Sequence, residues 1–280
     1  TALTRALTDR GPFASLDYSN MPVLLAPRLW SKFYKPKKKE DTERAHGDGI
    51  KVGLASVEAL EEYFFKVATN DRFISTTQLH LHEISADEND LYRRYIKSLC
   101  DNGQVYLAKN NNAILRLKSL LPQNPDMKVF VLIRDPLQHA LSLMKQHQKF
   151  KKEQTEDPFI LEYMNWLGHH EFGLGQLPFN LSEVAPQETD RAQLNYWLER
   201  WIDYYSYAKT LSTIQFIAYE DFVARPKDVL ERLSTETSIP LNIEGVELFV
   251  KTAVNVPEHD AKLAAHALTI YHEVVSSLSV

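Results

Sequence analysis

The sequence holds one cysteine in 280 residues, Cys100, which excludes an intramolecular disulfide and fits a reducing compartment. It lacks any apolar run of membrane-spanning length, and no signal peptide is visible at its first residues. It also lacks an excess of one charge. Thirty-two Lys and Arg against 37 Asp and Glu leave a formal net charge of -5, which argues against a general nucleic-acid-binding protein and still allows a local basic pocket. No GxxxxGK[ST] phosphate loop is present, since Gly47, Gly49 and Gly53 in HGDGIKVG have neither its spacing nor its Lys. These absences point to a cytoplasmic globular protein, long enough for one large α/β domain or two small ones.

What is present is an alternation of strands and helices. Short apolar strands are expected at Gln104 to Ala108, Lys128 to Ile133 and Thr213 to Ala218, each followed by a helical segment. Helices are also expected over TALTRALTDRG, near Ser56 to Ala68 and near Asp87 to Cys100. Strand and helix alternating at this spacing imply a parallel sheet covered by helices on both faces. Ligands of such sheets bind beyond the carboxyl ends of the strands, where Lys109, Arg134 and Tyr219 fall. No internal repeat is found, and the stretch Leu181 to Thr189 reads as a loop, so residues 1–280 are taken as a single domain.

The most informative segment is VFVLIRDPLQHALSLMKQ, Val129 to Gln146. Val129 to Ile133 is branched and uninterrupted, as in a buried parallel strand. Asp135 is a good helix N-cap and Pro136 suits the first helical position, so a helix begins beside Arg134. Ser142 falls two turns in, and its hydroxyl can join Arg134 in gripping one phosphate. The plainer alternative is a cap whose arginine pairs with a nearby carboxylate.

RDP, five residues and Ser after an apolar strand resemble the 3'-phosphate-binding signature of sulfotransferases that use 3'-phosphoadenosine 5'-phosphosulfate (PAPS). Two more segments resemble that family in the same order. QVYLAKNNNAILRLKSLLPQNPDMKVFVLIRDP is similar to its strand, Lys, helix and strand leading into the signature, and IQFIAYEDFVARPKDVLERL resembles its YED segment. The likeness covers Gln104 to Leu233 well and the remainder loosely. It implies a central parallel sheet in a three-layer sandwich like that of P-loop NTPases. The implied activity is metal-independent sulfuryl transfer from PAPS to an acceptor hydroxyl, releasing adenosine 3',5'-bisphosphate (PAP). The acceptor class stays open between small molecule, glycan and lipid, with neither nucleic acid nor membrane as partner.

The resemblance also suggests roles for single residues. Arg134 and Ser142 would bind the 3'-phosphate, Lys109 would neutralise charge on the departing phosphate oxygen, and Tyr219 would stand on the adenine side. Thr1 matches the last Thr of the family's 5'-phosphosulfate loop, whose strand and remaining residues would precede this sequence. The base is less plain. Cytosolic small-molecule members carry a His two places after the corresponding Lys, whereas Asn111 stands here and cannot act as a base near neutral pH. Other branches use a carboxylate after the first helix and strand, which points to Asp17 in FASLDYSN; an ordinary turn Asp is the competing reading. His80 and His82 alternate with Leu79 and Leu81 and would share one strand face, making them the next candidates.

Alternative functions are a P-loop phosphotransferase or nucleotide kinase, and a nucleotide-binding relative without catalysis. Other clusters have plainer explanations. His169 to Glu171 lack a third ligand at metal-site spacing, Lys35 to Lys39 suit a solvated loop, and Cys100 sits in an apolar helical pattern. Trp197, Trp201, Tyr204 and Tyr205 recur at helical spacing, the mark of a core-facing helix.

Overall fold

The computed structural model describes residues 2–34, 42–43, 51–52, 59–182, 190–246 and 255–278. Eight short strands are found there: β1 (Phe13–Ala14), β2 (Thr42–Glu43), β3 (Lys51–Val52), β4 (Leu79–His80), β5 (Val105–Tyr106), β6 (Val129–Ile133), β7 (Phe179–Asn180) and β8 (Ile214–Ala218). They pair two by two. β1 with β5, β4 with β7 and β6 with β8 are parallel, and β2 with β3 is antiparallel. The fold is thus mixed α/β with short parallel strands and many helices. The three predicted strands all form but shorten at their ends, most of all Gln104 to Ala108, where only Val105 and Tyr106 keep ladder partners.

The chain groups into two compact units. The first comprises Thr1–Asp71, Ile84–Ala113 and Lys227–Val246, and the second Arg72–Glu83, Ile114–Pro226 and Glu247–Val280.

In the first unit the opening helix spans Ala2–Thr8 and leads into β1. Its end is fastened by Arg10, whose guanidinium donates to the carbonyls of Asn242, Glu244 and Gly245. The helix predicted from Ser56 is seen as Glu62–Ala68, with residues 53–58 outside the described set. The Ala86–Leu99 helix starts where Ser85 and Glu88 form a reciprocal capping box, two orphan N–H groups being satisfied at once. Aromatic rings join these helices: Phe64 stacks on Tyr95 at 4.7 Å, and Phe65 lies 4.8 Å from Tyr92.

The second unit is built around β6 and β8. The Pro136–Glu156 helix leaves β6 directly, with Asp135 accepting from the Gln138 N–H and Pro136 at the first position. The same Asp-Pro start recurs at Asp157 for the Pro158–Leu167 helix, which ends at left-handed Gly168. The Leu194–Ala208 helix buries Trp197, Trp201 and Tyr205 of its aromatic stripe in the core and leaves Tyr204 half-buried. Tyr205 donates its hydroxyl to the Leu132 carbonyl at 2.6 Å, so a core ring also fastens the helix to β6. The final described helix, Ala261–Ser277, is capped by Asp260 through the N–H groups of Lys262 and Leu263. Among the described residues no helix is long and apolar enough to cross a membrane.

Candidate functional site

Arg134 and Tyr219 are the residues immediately after β6 and β8, whose last register pair is Ile133 with Ala218. The parallel register runs on past the sheet: the Arg134 guanidinium carbon lies 4.8 Å from the centre of the Tyr219 ring. One step further the Asp135 N–H donates to Glu220 Oε1 at 3.1 Å. The other oxygen of Glu220 accepts from the Tyr271 hydroxyl at 2.9 Å. Burial, followed by the Glu220 hydrogen bond and the charges of Glu220, Asp135 and Asp221, raises the Tyr271 phenol well above its ordinary range.

The carboxylates nearest Arg134 in sequence and register are therefore committed elsewhere, Asp135 to its helix and Glu220 to Asp135 and Tyr271. Among the described residues Arg134 has no ion pair, which leaves a half-buried guanidinium, backed by an aromatic face, at the carboxyl end of two strands. Such a group suits a doubly charged anion. Among the described residues no carboxylate takes the place that the alternative of a paired arginine requires. His139 adds no second charge, because burial and then Arg134 hold its pKa down to about 4. Ser142 is exposed on the same helix, about 9 Å of axial rise beyond Pro136.

Asp17 and Lys109 follow a parallel pair of strands in the first unit in a comparable way. β1 and β5 register Ala14 with Tyr106, so Asp17 and Lys109 each stand three residues beyond one register pair. The Ser15 hydroxyl donates to the Leu107 carbonyl at 2.7 Å, which continues the pairing toward them. Asp17 caps the short turn Tyr18–Asn20 and accepts from the Ser19 N–H at 2.8 Å. Burial nevertheless prevails over these hydrogen bonds and raises the pKa of its carboxyl.

Sequence reasoning missed two carboxylates here. Glu61 and Glu62 are only 4 % and 1 % exposed, and the Asn110 amide, next to Lys109, donates to both at 3.1 and 3.0 Å. Tyr92 donates to Glu61 Oε1 at 2.6 Å. Their sequence context, EALEEYFF, reads as an ordinary amphipathic helix, and the only signal was two adjacent acids on either side of its buried face.

The remaining candidates lie elsewhere or outside the description. His80 packs at the end of β4, its ring within 3.1 Å of Ser75 Oγ and 3.4 Å of the Asn180 amide. His82 stacks on Phe73 at 4.7 Å and meets the His80 carbonyl. The two histidines thus have different neighbours, and β4 ends at His80, so His82 lies beyond the paired strand. Thr1, Lys35 to Lys39 and the HGDGIKVG glycines lie outside the described residues. His170 binds the Gly175 carbonyl, and no group of three or more metal-binding side chains is found among the described residues.

The family model described as Sulfotransferase domain matches residues 62–255, more than half of the chain. A search of curated proteins finds no match.

Proposed function

The chain belongs to the sulfotransferase domain family, enzymes that transfer a sulfuryl group from PAPS, and from that premise we propose that Arg134 and Ser142 hold the donor's 3'-phosphate. The observation that carries this reading is the Arg134 guanidinium, half-buried on Tyr219 while Asp135 and Glu220 are engaged elsewhere. A phosphate dianion offers what the guanidinium fork lacks, two parallel charge-assisted hydrogen bonds. Tyr219 then serves the nucleotide by supporting Arg134 from one face. The finer architecture, a parallel sheet in a three-layer sandwich like that of P-loop NTPases, belongs to the same proposal.

In the reaction the acceptor oxygen forms a bond to sulfur while the bond from sulfur to the 5'-phosphate oxygen breaks, releasing PAP. Asp17 takes the proton of an acceptor hydroxyl, a task helped by a carboxyl whose pKa is raised by burial. Lys109 neutralises charge developing on the departing phosphate oxygen. These cationic side chains supply the charge stabilisation, so the reaction is read as metal-independent.

The test is competition binding of PAP and AMP, which differ by the 3'-phosphate. Arg134→Ala is expected to weaken PAP by at least about thirtyfold, the worth of a charge-assisted pair, while changing AMP by less than about threefold. Equal losses for the two nucleotides would overturn the assignment.

A further inference from the structure

Arg134 can receive a phosphate only while Glu220, the residue one register step away, does not neutralise it. The structure shows what keeps them apart. Glu220 Oε1 accepts from the Asp135 N–H and Oε2 from Tyr271, so both oxygens of the carboxylate are held. Tyr271 comes from the Ala261–Ser277 helix, beyond the residues that the family model matches. That helix packs against the Leu194–Ala208 and Pro136–Glu156 helices of the same unit, which fixes the direction from which its hydroxyl approaches.

We propose that Tyr271 is a positioning residue of the donor site, holding the Glu220 carboxylate away from Arg134 so that the guanidinium stays open to the 3'-phosphate. The inference rests on the assignment of Arg134 to that phosphate. A carboxylate released on one side can turn about its side-chain torsions, and Arg134, one register step away over Tyr219, is a cation it can turn toward. It then competes with the phosphate as an internal anion. Glu220 thereby has two functions: through Oε1 it pins Asp135, the middle residue of the RDP turn, and through Oε2 it is itself restrained. The C-terminal helix is thus part of the nucleotide site without touching nucleotide.

The experiment is a double-mutant cycle in the full chain, read as the ratio of PAP to AMP affinity. Wild-type protein must first bind PAP more tightly than AMP; failure at that step overturns the assignment of Arg134 itself. Tyr271→Phe keeps the ring and removes only the hydroxyl, and is expected to lower the ratio about tenfold, as for loss of a hydrogen bond to a charged group. Glu220→Gln still accepts from the Asp135 N–H but cannot form an ion pair. In the Tyr271→Phe background it is expected to restore most of the ratio, and in the wild-type background to raise it by less than about threefold. An unchanged ratio in Tyr271→Phe, or the same gain from Glu220→Gln in both backgrounds, would overturn the inference, the latter because simple removal of a negative charge acts equally in each. A folding defect lowers PAP and AMP together and leaves the ratio alone.

Discussion

The Arg134 guanidinium carbon sits 4.8 Å from the centre of the Tyr219 ring because the two residues occupy equivalent positions at the ends of adjacent parallel strands. The ring does more than fill space. It fixes the plane of the guanidinium and attracts its charge, leaving the fork edge for a phosphate. Tyr219→Phe keeps the aromatic face and is expected to bind PAP within about twofold of wild type, whereas Tyr219→Leu is expected to lose about fivefold, the worth of a partly shielded cation–π contact. Isothermal titration with PAP checks both. Equal losses in the two variants would mean that the phenol hydroxyl, not the ring, is what matters. Arg134→Lys keeps the charge without the fork and should fall between wild type and Arg134→Ala.

This pairing also shows where sequence reasoning reached its limit. Arg134, the Asp135 cap, Pro136 and Ser142 were legible because strand end, cap and helix period are local properties of one segment. Tyr219 was legible as a strand end, yet its place under Arg134 depends on a register between segments about eighty residues apart, which no local pattern states. Tyr271 carried no signal at all, being a lone tyrosine in an amphipathic helix far along the sequence from Arg134. His80 and His82 show another limit: their alternation with leucine is a two-residue period, yet only Leu79 and His80 find a partner strand, so the period does not extend to His82 as paired strand. Glu61 and Glu62 were hidden by the rule that adjacent acids face solvent, a rule that gives way where Asn110 and Tyr92 meet their oxygens.

Lys109 and Asp17 are expected to separate by kinetics. Lys109→Ala and Asp17→Asn should each lower kcat by about a hundredfold or more, the usual worth of charge stabilisation or general-base assistance, with KM for PAPS changed much less. Asp17 further predicts a pH profile. Its carboxyl must be ionised to accept a proton, and burial raises its pKa, so the acidic limb of kcat should lie above the ordinary aspartate range and vanish in Asp17→Asn. His80→Ala and His82→Ala should retain that limb. A limb lost in either histidine variant would move the base away from Asp17.

His147 gives the fold its own pH dependence. It is 5 % exposed and accepts the Gly173 N–H at Nδ1, and burial, followed by the charges of Arg191 and Lys151, lowers its pKa to about 4. The unfolded chain protonates this residue near pH 6.5, before the folded chain does. Stability is therefore full above that pH and is lost as pH falls toward 4, by on the order of 3 kcal/mol for His147 alone. His139, lowered in the same way, adds to the slope. Urea unfolding from pH 7 to 4 should show this decline, and His147→Asn, which keeps an acceptor and does not titrate, should flatten it. A slope unaltered in the variant would remove His147 from the account.

Gly173 follows from the same loop. Its φ of +81° suits glycine, and a Cβ there would lie 2.1 Å from Gln154 Oε1. Gln154 cannot yield cheaply: its side chain is 2 % exposed, its oxygen accepts the Leu174 N–H at 2.6 Å, and its amide faces Met164 sulfur. Gly103 provides the comparison, having φ of +83° and nothing within 4 Å of an added Cβ. Backbone strain alone should cost Gly103→Ala about 1 kcal/mol. Gly173→Ala adds the displacement of a buried amide from its partners, and should cost at least about 2 kcal/mol more than Gly103→Ala. Urea unfolding of the two variants side by side measures that difference, and equal losses would mean that Gln154 moves aside without breaking its bonds.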